Sequence, residues 1–172
     1  MCKHFQDTAH TLNDFEPNHP VLYYGTAKLA ARLSRESTQF IELCGELIDR
    51  AVDLDPYNSS YKVELGYQDY LVGEYGRAMD SLDDALRSDP TNSDAQILQI
   101  RCLVGLQKLS SAKQRLQQIS ASSVDGKSKE MFLLCKAICS TFAEPPRRVE
   151  AKLYLKEAVE RHSSWLLETP QV

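Results

Sequence analysis

The sequence predicts an all-α fold of stacked antiparallel helix pairs, and three observations lead to this prediction. Pro56 and Pro90 each follow an aspartate near the predicted end of a helix. Ala51 and Ala85 precede these prolines at the same spacing, since 90 minus 56 equals 85 minus 51. The 172 residues include only seven glycines and seven prolines, too few for a turn-rich β fold, while 42% apolar residues suffice to form a core.

The repeat is clearest in residues 51–90, where the pattern predicts two helices joined by a short turn. Leu65 and Gly66 fall midway along the first helix, and Ala78 and Leu82 belong to the facing side of the second. Small residues where two helices cross let the backbones approach closely, and proline ends the second helix because it cannot continue the hydrogen-bond ladder. A helix-turn-helix unit of about 34 residues with this pattern is typical of tetratricopeptide repeats, which form right-handed solenoids.

The pattern predicts a half repeat followed by four helix pairs, or about nine helices in all. The half repeat covers residues 2–17, and the helix pairs cover residues 20–56, 59–90, 93–122 and 127–162. One repeat cannot bury its own apolar face, so repeats of this kind stack on neighbours. We therefore expect residues 1–172 to be a single solenoid segment of a longer chain; a short protein that begins naturally at Met1 is the alternative.

The repeat becomes less regular after Pro90. Gln99 and Ile100 stand one repeat length after Leu65 and Gly66, at the equivalent positions. A four-and-three spacing of small and apolar residues returns in the last predicted helix, over residues 148–162, at Ala151, Leu155 and Ala158. Residues after this helix are predicted to begin a further element that the chain does not finish.

Charge, hydropathy and cysteine usage exclude several classes of protein. The net charge is −4 and no basic stripe occurs, which argues against nucleic-acid binding. No apolar run approaches the length of about 18 residues that a membrane-spanning helix needs, and the N-terminus lacks an apolar signal core. We therefore expect neither membrane insertion nor secretion. Five cysteines without framework spacing suit a reducing, cytoplasmic compartment.

The sequence contains no convincing catalytic or metal-binding motif. Cys135 and Cys139 lie one helical turn apart, but structural zinc needs four ligands and no further His or Cys cluster completes the set. These two cysteines are therefore interpreted as small buried hydrophobes. The carboxylates of Asp80, Asp83 and Asp84 are interpreted as a solvated helix face. No phosphate-binding loop or nucleophile elbow occurs, so we expect no enzyme activity, metal or cofactor.

The first helix of each pair should line the inner, concave surface of such a solenoid. Helical spacing assigns seven residues to this surface as candidates for partner binding, with Cys135 beside the last of them: Val63, Tyr67, Tyr70, Ile97, Arg101, Val104 and Met131. A single arginine among apolar and aromatic groups disfavours a clamp for a terminal carboxylate. The surface suits an amphipathic partner helix or another solenoid, unless its tyrosines pack within the superhelix.

Residues 54–86 resemble one particular family more closely. The run Glu64-Leu65-Gly66-Tyr67-Gln68 follows a proline-containing turn, and residues 13–24 (NDFEPNHPVLYY) precede it. In this order the motifs are similar to an internal stretch, in the N-terminal half, of the tetratricopeptide repeat protein 21 family, the large repeat subunit of intraflagellar transport complex A. The similarity covers roughly Thr8 to Arg161.

The resemblance implies a non-catalytic scaffold in retrograde ciliary transport and cilium assembly. It implies protein partners, namely other complex A subunits, and a location at the cilium or its base. The alternative is an unrelated cytosolic repeat adaptor that binds a peptide or partner helix in its concave groove. Neither interpretation includes a nucleic acid, a membrane-inserted segment or a small-molecule substrate.

Two residues depart from the usual repeat pattern. Lys62 occupies a position where a bulky aromatic residue is common, and Asp69 stands where tyrosine is common. Tyr61 and Tyr70 are adjacent to them in sequence, and we expect these tyrosines to fill the corresponding spaces.

Overall fold

The computed structural model describes residues 18–33, 39–120, 124 and 126–168, and all regular structure in these ranges is α-helical. Eight helices occur there, in the order α1 Pro20–Leu33, α2 Gln39–Leu54, α3 Ser59–Leu71, α4 Tyr75–Ser88, α5 Ser93–Gly105, α6 Leu109–Gln118, α7 Gly126–Thr141 and α8 Arg148–Glu168. Within the described ranges, no helix combines the length and the apolar character needed to cross a membrane.

These bounds lie close to the predicted helices, with two differences. The helix predicted within residues 2–17 lies outside the described residues. The last helix, predicted over 148–162, continues to Glu168 because neither glycine nor proline interrupts residues 148–168. Residues 163–168 therefore extend α8, and the prediction that they begin a new element was wrong.

The chain divides into two compact units, unit 1 (Met1–Asn92) and unit 2 (Ser93–Val172). In unit 1, α1 packs on α2, α2 on α3, and α3 on α4. In unit 2, α5 packs on α6 and α7, and α7 also packs on α6 and α8. Short connections join consecutive helices in each unit, so that consecutive helices run antiparallel.

The same tight turn joins the two helices of a pair in each unit. In unit 1, Gly73 adopts a left-handed φ of 84°, and its N–H donates to the Tyr70 carbonyl at 3.1 Å. In unit 2, Gln107 occupies the equivalent position of the next repeat with a φ of 59°, and its N–H donates to the Val104 carbonyl at 3.0 Å. The backbone hydrogen bonds of this turn are thus the same in both repeats, although glycine at 73 is replaced by glutamine at 107.

The core of unit 1 lies between α1, α2 and α3. The Tyr24 and Tyr61 rings meet at a centroid distance of 4.9 Å where α1 approaches α3. Cys44 is fully buried, and its thiol donates to the Ala27 carbonyl at 3.4 Å. The buried residues of this core are each at most 5% exposed: Tyr23, Ala27, Leu47, Ile48, Ala51 and Tyr61.

The predicted close crossing of α3 and α4 is confirmed at Gly66. A Cβ atom at this position would lie 2.9 Å from Leu82 Cγ and 3.2 Å from the Ala78 carbonyl oxygen. Ala78 and Leu82 are themselves fully buried. The absence of a side chain at 66 therefore sets the distance between the two helices, and Leu82 fills the space that it leaves.

At the equivalent repeat position in unit 2, larger side chains are buried. Ile100, which replaces Gly66, is fully buried, as is its neighbour Gln99. The Gln99 side-chain oxygen accepts a hydrogen bond from the Arg115 guanidinium of α6, and this bond satisfies an oxygen that would be costly to bury without a partner. In α8, Leu155 is 45% exposed although its pattern predicted an apolar face.

Gly66→Ala should destabilise unit 1. The new methyl group must displace Leu82 or the α4 backbone, and overpacking of this kind costs about 1–3 kcal/mol. Gly45→Ala in α2 is the matched control because its Cβ would meet nothing within 4 Å. In urea denaturation followed by circular dichroism, we expect Gly66→Ala to lower the midpoint and Gly45→Ala to raise it. Equal effects of the two substitutions would contradict the close crossing.

Gln107→Gly should stabilise the chain by about 1 kcal/mol, because a left-handed backbone is strained for residues with a side chain. Gly73→Ala should have the opposite effect, since it places a Cβ at the equivalent φ of 84°. Thermal denaturation of both variants beside the wild type tests the pair. A lower melting temperature for Gln107→Gly would show that its side chain contributes more than its backbone costs.

Candidate partner-binding surface

The predicted binding residues of unit 1 lie on one side of α3. Val63, Tyr67 and Tyr70 follow each other at intervals of four and three and are half-buried, so each presents part of its side chain. The Tyr70 ring also packs against the ring of Tyr75, at a centroid distance of 5.6 Å. Because Tyr75 begins α4, Tyr70 is held by packing within its own repeat while it stays partly accessible. We call Val63, Tyr67 and Tyr70 the α3 face.

A polar layer lies beside the α3 face. Asp69 is 7% exposed, and Arg77 of α4 approaches its carboxylate at 3.4 Å. Burial raises the pKa of Asp69, the Arg77 guanidinium lowers it, and the carboxylates of Asp49 and Glu74 raise it further. The pKa of Asp69 is raised overall, because the Arg77 side chain is 68% exposed and compensates the effect of burial only in part.

The neighbouring residue, Gln68, is also buried, at 4% exposed. Its amide nitrogen donates to the Glu64 carboxylate at 2.8 Å. Within the described part of the chain, its side-chain oxygen has no hydrogen-bond partner. Helix α3 therefore carries two buried polar side chains behind its partly exposed face, and both weigh against stability unless they are compensated.

The predicted residues of unit 2 divide into two groups. Arg101 and Val104 of α5 and Met131 of α7 are half-buried, and we call them the α5/α7 face. Ile97 and Cys135 are each 3% exposed, so they lie in the core and are not presented to a partner. For Ile97 the reason is that α5 has buried residues on more than one side, whereas the prediction from helical spacing was of one open side.

The α5/α7 face is joined by packing and by charge. Helices α5 and α7 pack on each other, and the Arg101 guanidinium is close enough to lower the pKa of the Cys135 thiol. Burial is the larger effect and raises the pKa of that thiol to about 12. A single concave surface that includes both the α3 face and the α5/α7 face stays a prediction.

The cysteines behave as buried hydrophobes, as the sequence indicated. Cys135 and Cys139 are free thiols that are 3% and 7% exposed. Burial raises the pKa of Cys139, and it raises the pKa of Cys44 to about 11. Among the described residues, no three or more His, Cys, Asp or Glu side chains are grouped so that they could hold a metal ion.

Unit 2 also contains a cavity that the sequence did not indicate. Its volume is about 270 Å³, and it is bounded by α6, α7 and the beginning of α8. Three basic residues line it: Lys113 from α6, Lys136 from α7 and Arg147 immediately before α8. These residues are far apart in sequence, so no local run of charge marks them. Only the packing of three elements brings them together.

Asp69→Asn should stabilise unit 1 at neutral pH. Because the folded-state pKa of Asp69 is raised, its contribution to stability is fully present below the ordinary value of 3.8 and is lost as pH rises through the folded-state pKa. An asparagine removes this loss. We therefore expect the variant to have a higher free energy of unfolding than the wild type at pH 7, and the difference to shrink as the pH falls towards the ordinary value.

The matched control for this measurement is Asp80→Asn, an exposed carboxylate on α4. It makes the same chemical change without removing a buried charge. Urea denaturation at several pH values compares both variants with the wild type. If Asp69→Asn lowers the stability at pH 7, the ion pair with Arg77 outweighs the cost of burial.

Comparison with known proteins identifies relatives for nearly the whole chain. A family model described as the tetratricopeptide repeat protein 21 second ARM domain matches residues 3–171. Tetratricopeptide repeat protein 21B from Homo sapiens is 26% identical over 162 residues. The matched region covers 94% of this chain but only 12% of that protein, so the chain spans about an eighth of this relative.

The fold is similar to two solved structures. A crystal structure of MamA aligns with a TM-score of 0.68 at 16% identity, covering 91% of this chain and 86% of that one. A second MamA crystal structure aligns with a TM-score of 0.64 at 15% identity, covering 94% and 82%. These likenesses confirm the predicted all-α fold of the tetratricopeptide type. With the family model matched over residues 3–171, the chain belongs to the tetratricopeptide repeat protein 21 family.

Proposed function

We propose that this chain is a non-catalytic scaffold segment of an intraflagellar transport complex A subunit. In this role it acts in retrograde ciliary transport and cilium assembly, in the cytoplasm at the cilium or its base. The observation that carries the proposal is the family match over residues 3–171. The motif order between residues 13 and 86 supports the same assignment. The expected partners are other subunits of complex A.

The α3 face has the composition of a protein-binding surface. Tyrosine and arginine are enriched among residues that dominate binding energies, because they bury large areas and also form polar contacts. Tyr67 and Tyr70 supply two aromatic side chains on the α3 face, and Arg101 supplies a cation on the α5/α7 face. All three stand on helices, which hold side chains more rigidly than loops do and so reduce the entropy lost on binding.

The shape of these side chains favours a helical partner. Val63, Tyr67 and Tyr70 form a stripe along a single helix, and such a stripe packs well against the apolar side of another helix. Because each of these residues is half-buried, packing within the chain already holds its side chain in place. A partner then covers the part of the side chain that remains exposed. An amphipathic helix or a second repeat array meets this requirement.

We expect tagged chain to recover complex A subunits from ciliated cells, and a variant carrying both Tyr67→Ala and Arg101→Glu to recover about tenfold less. The two changes remove one large contact from each face. Mass spectrometry of the retained proteins measures recovery. Testing Tyr67→Ala and Arg101→Glu separately then assigns each partner to unit 1 or unit 2.

A control variant carries Asp80→Asn and Lys152→Glu, two exposed positions outside both faces. It should recover the same subunits as the wild type, and circular dichroism should find all variants equally helical. Recovery of a cytosolic protein without any transport subunit would overturn the ciliary role. It would favour the alternative, a cytosolic adaptor that binds a peptide or partner helix through the same faces.

A further inference from the structure

The basic cavity of unit 2 has more positive charge than its neighbours neutralise. Arg147 forms an ion pair with Glu150 at 3.5 Å, and both residues line the cavity. Neither Lys113 nor Lys136 forms an ion pair with a carboxylate of the described residues. Three cations therefore face one carboxylate, in a chain whose net charge is −4. Three positive charges this close together repel one another, and an anion bound between them would offset that repulsion.

Aromatic rings hold one of these cations in place. The Lys136 ammonium lies 4.6 Å from the centroid of the Phe132 ring and 5.4 Å from that of the Tyr154 ring. Phe132 is buried, so the aliphatic part of the Lys136 side chain packs on the core. Its ammonium group is held by cation–π contacts with the two rings. A lysine ordered in this way loses less conformational entropy when it binds an anion.

The remaining walls and the size of the cavity limit what can enter. Leu116 and Ile119 supply apolar surface, and the Tyr154 ring lines the cavity as well. About 270 Å³ holds one or two side chains, which is below the range of ordinary ligand and cofactor pockets. The cavity suits a carboxylate that arrives with an apolar neighbour, as on a short segment of a protein.

We propose that this cavity is a docking site for an acidic segment of a protein partner, whose carboxylate lies between Lys113, Lys136 and Arg147. The adjacent apolar residue of the segment packs on Leu116 and Tyr154. The lining residues of the cavity are separate from the α3 face and from the α5/α7 face. The site adds a second, charge-dependent contact to those described above. Its test uses purified protein and so does not depend on the ciliary role.

The probe is a capped synthetic hexapeptide with two adjacent glutamates between two leucines, beside the same peptide with glutamines. Each is titrated into the isotopically labelled 172-residue chain and followed by nuclear magnetic resonance. We expect the glutamate peptide to shift backbone resonances around the cavity, with a dissociation constant on the order of 1 mM. Raising the salt concentration should weaken binding because the contact is ionic.

Charge reversal tests which cations are responsible. The double variant Lys113→Glu, Lys136→Glu should bind the glutamate peptide at least about tenfold more weakly. Lys152→Glu makes the same kind of change at an exposed α8 position outside the cavity and should change the affinity by less than about twofold. Lys136 packs on the core, so replacing it also alters core packing. Lys113→Glu alone is therefore the second variant. Lys113 is exposed, and this single change should also weaken binding.

Three results would overturn the inference. The glutamine peptide could shift the same resonances as strongly, which would make charge irrelevant. Lys152→Glu could weaken binding as much as Lys113→Glu, which would reduce the effect to net charge. Inorganic phosphate alone could saturate the same resonances as tightly as the peptide, which would make the cavity a general anion site and not a docking site for a protein segment.

Discussion

The close approach of α3 and α4 at Gly66 is the contact on which the arrangement of unit 1 depends. With no side chain at 66, Leu82 and the α4 backbone lie against α3, and this distance fixes the orientation of both helices. Tyr67, the next residue, lies about 100° further round α3 than Gly66. Tyr70 lies one turn beyond Gly66 and packs against the Tyr75 ring of α4. A packing requirement in the interior thus decides which α3 side chains remain accessible to a partner.

Each unit also buries polar groups, and in each an arginine from the second helix of a pair compensates one on the first. In unit 1 the pair is Asp69 with Arg77, and in unit 2 it is Gln99 with Arg115. The two arginines do not occupy equivalent repeat positions, since the step from 77 to 115 is longer than the step from 73 to 107 that relates the two turns. The repeat therefore preserves its backbone turns more strictly than its polar contacts.

Much of this fold is visible in the sequence because it depends on local signals of fixed spacing. The Pro56 and Pro90 boundaries recur at the repeat length, Gly66 marks the crossing between them, and the helices follow from these positions. Ile97 was misplaced because burial depends on how many neighbours cover a helix, which periodicity along one helix does not report. The basic cavity was missed for a related reason: its lysines and arginine come from three separate elements.

The buried thiols give each unit its own internal probe of local opening. Among the described cysteines, unit 1 contains Cys44, while unit 2 contains Cys102, Cys135 and Cys139. A buried thiol with a raised pKa reacts with an alkylating reagent only when its surroundings open, so its labelling rate follows the free energy of that opening. Because these cysteines are native, alkylation rates can reveal whether the two units open together or one at a time, without any introduced cysteine.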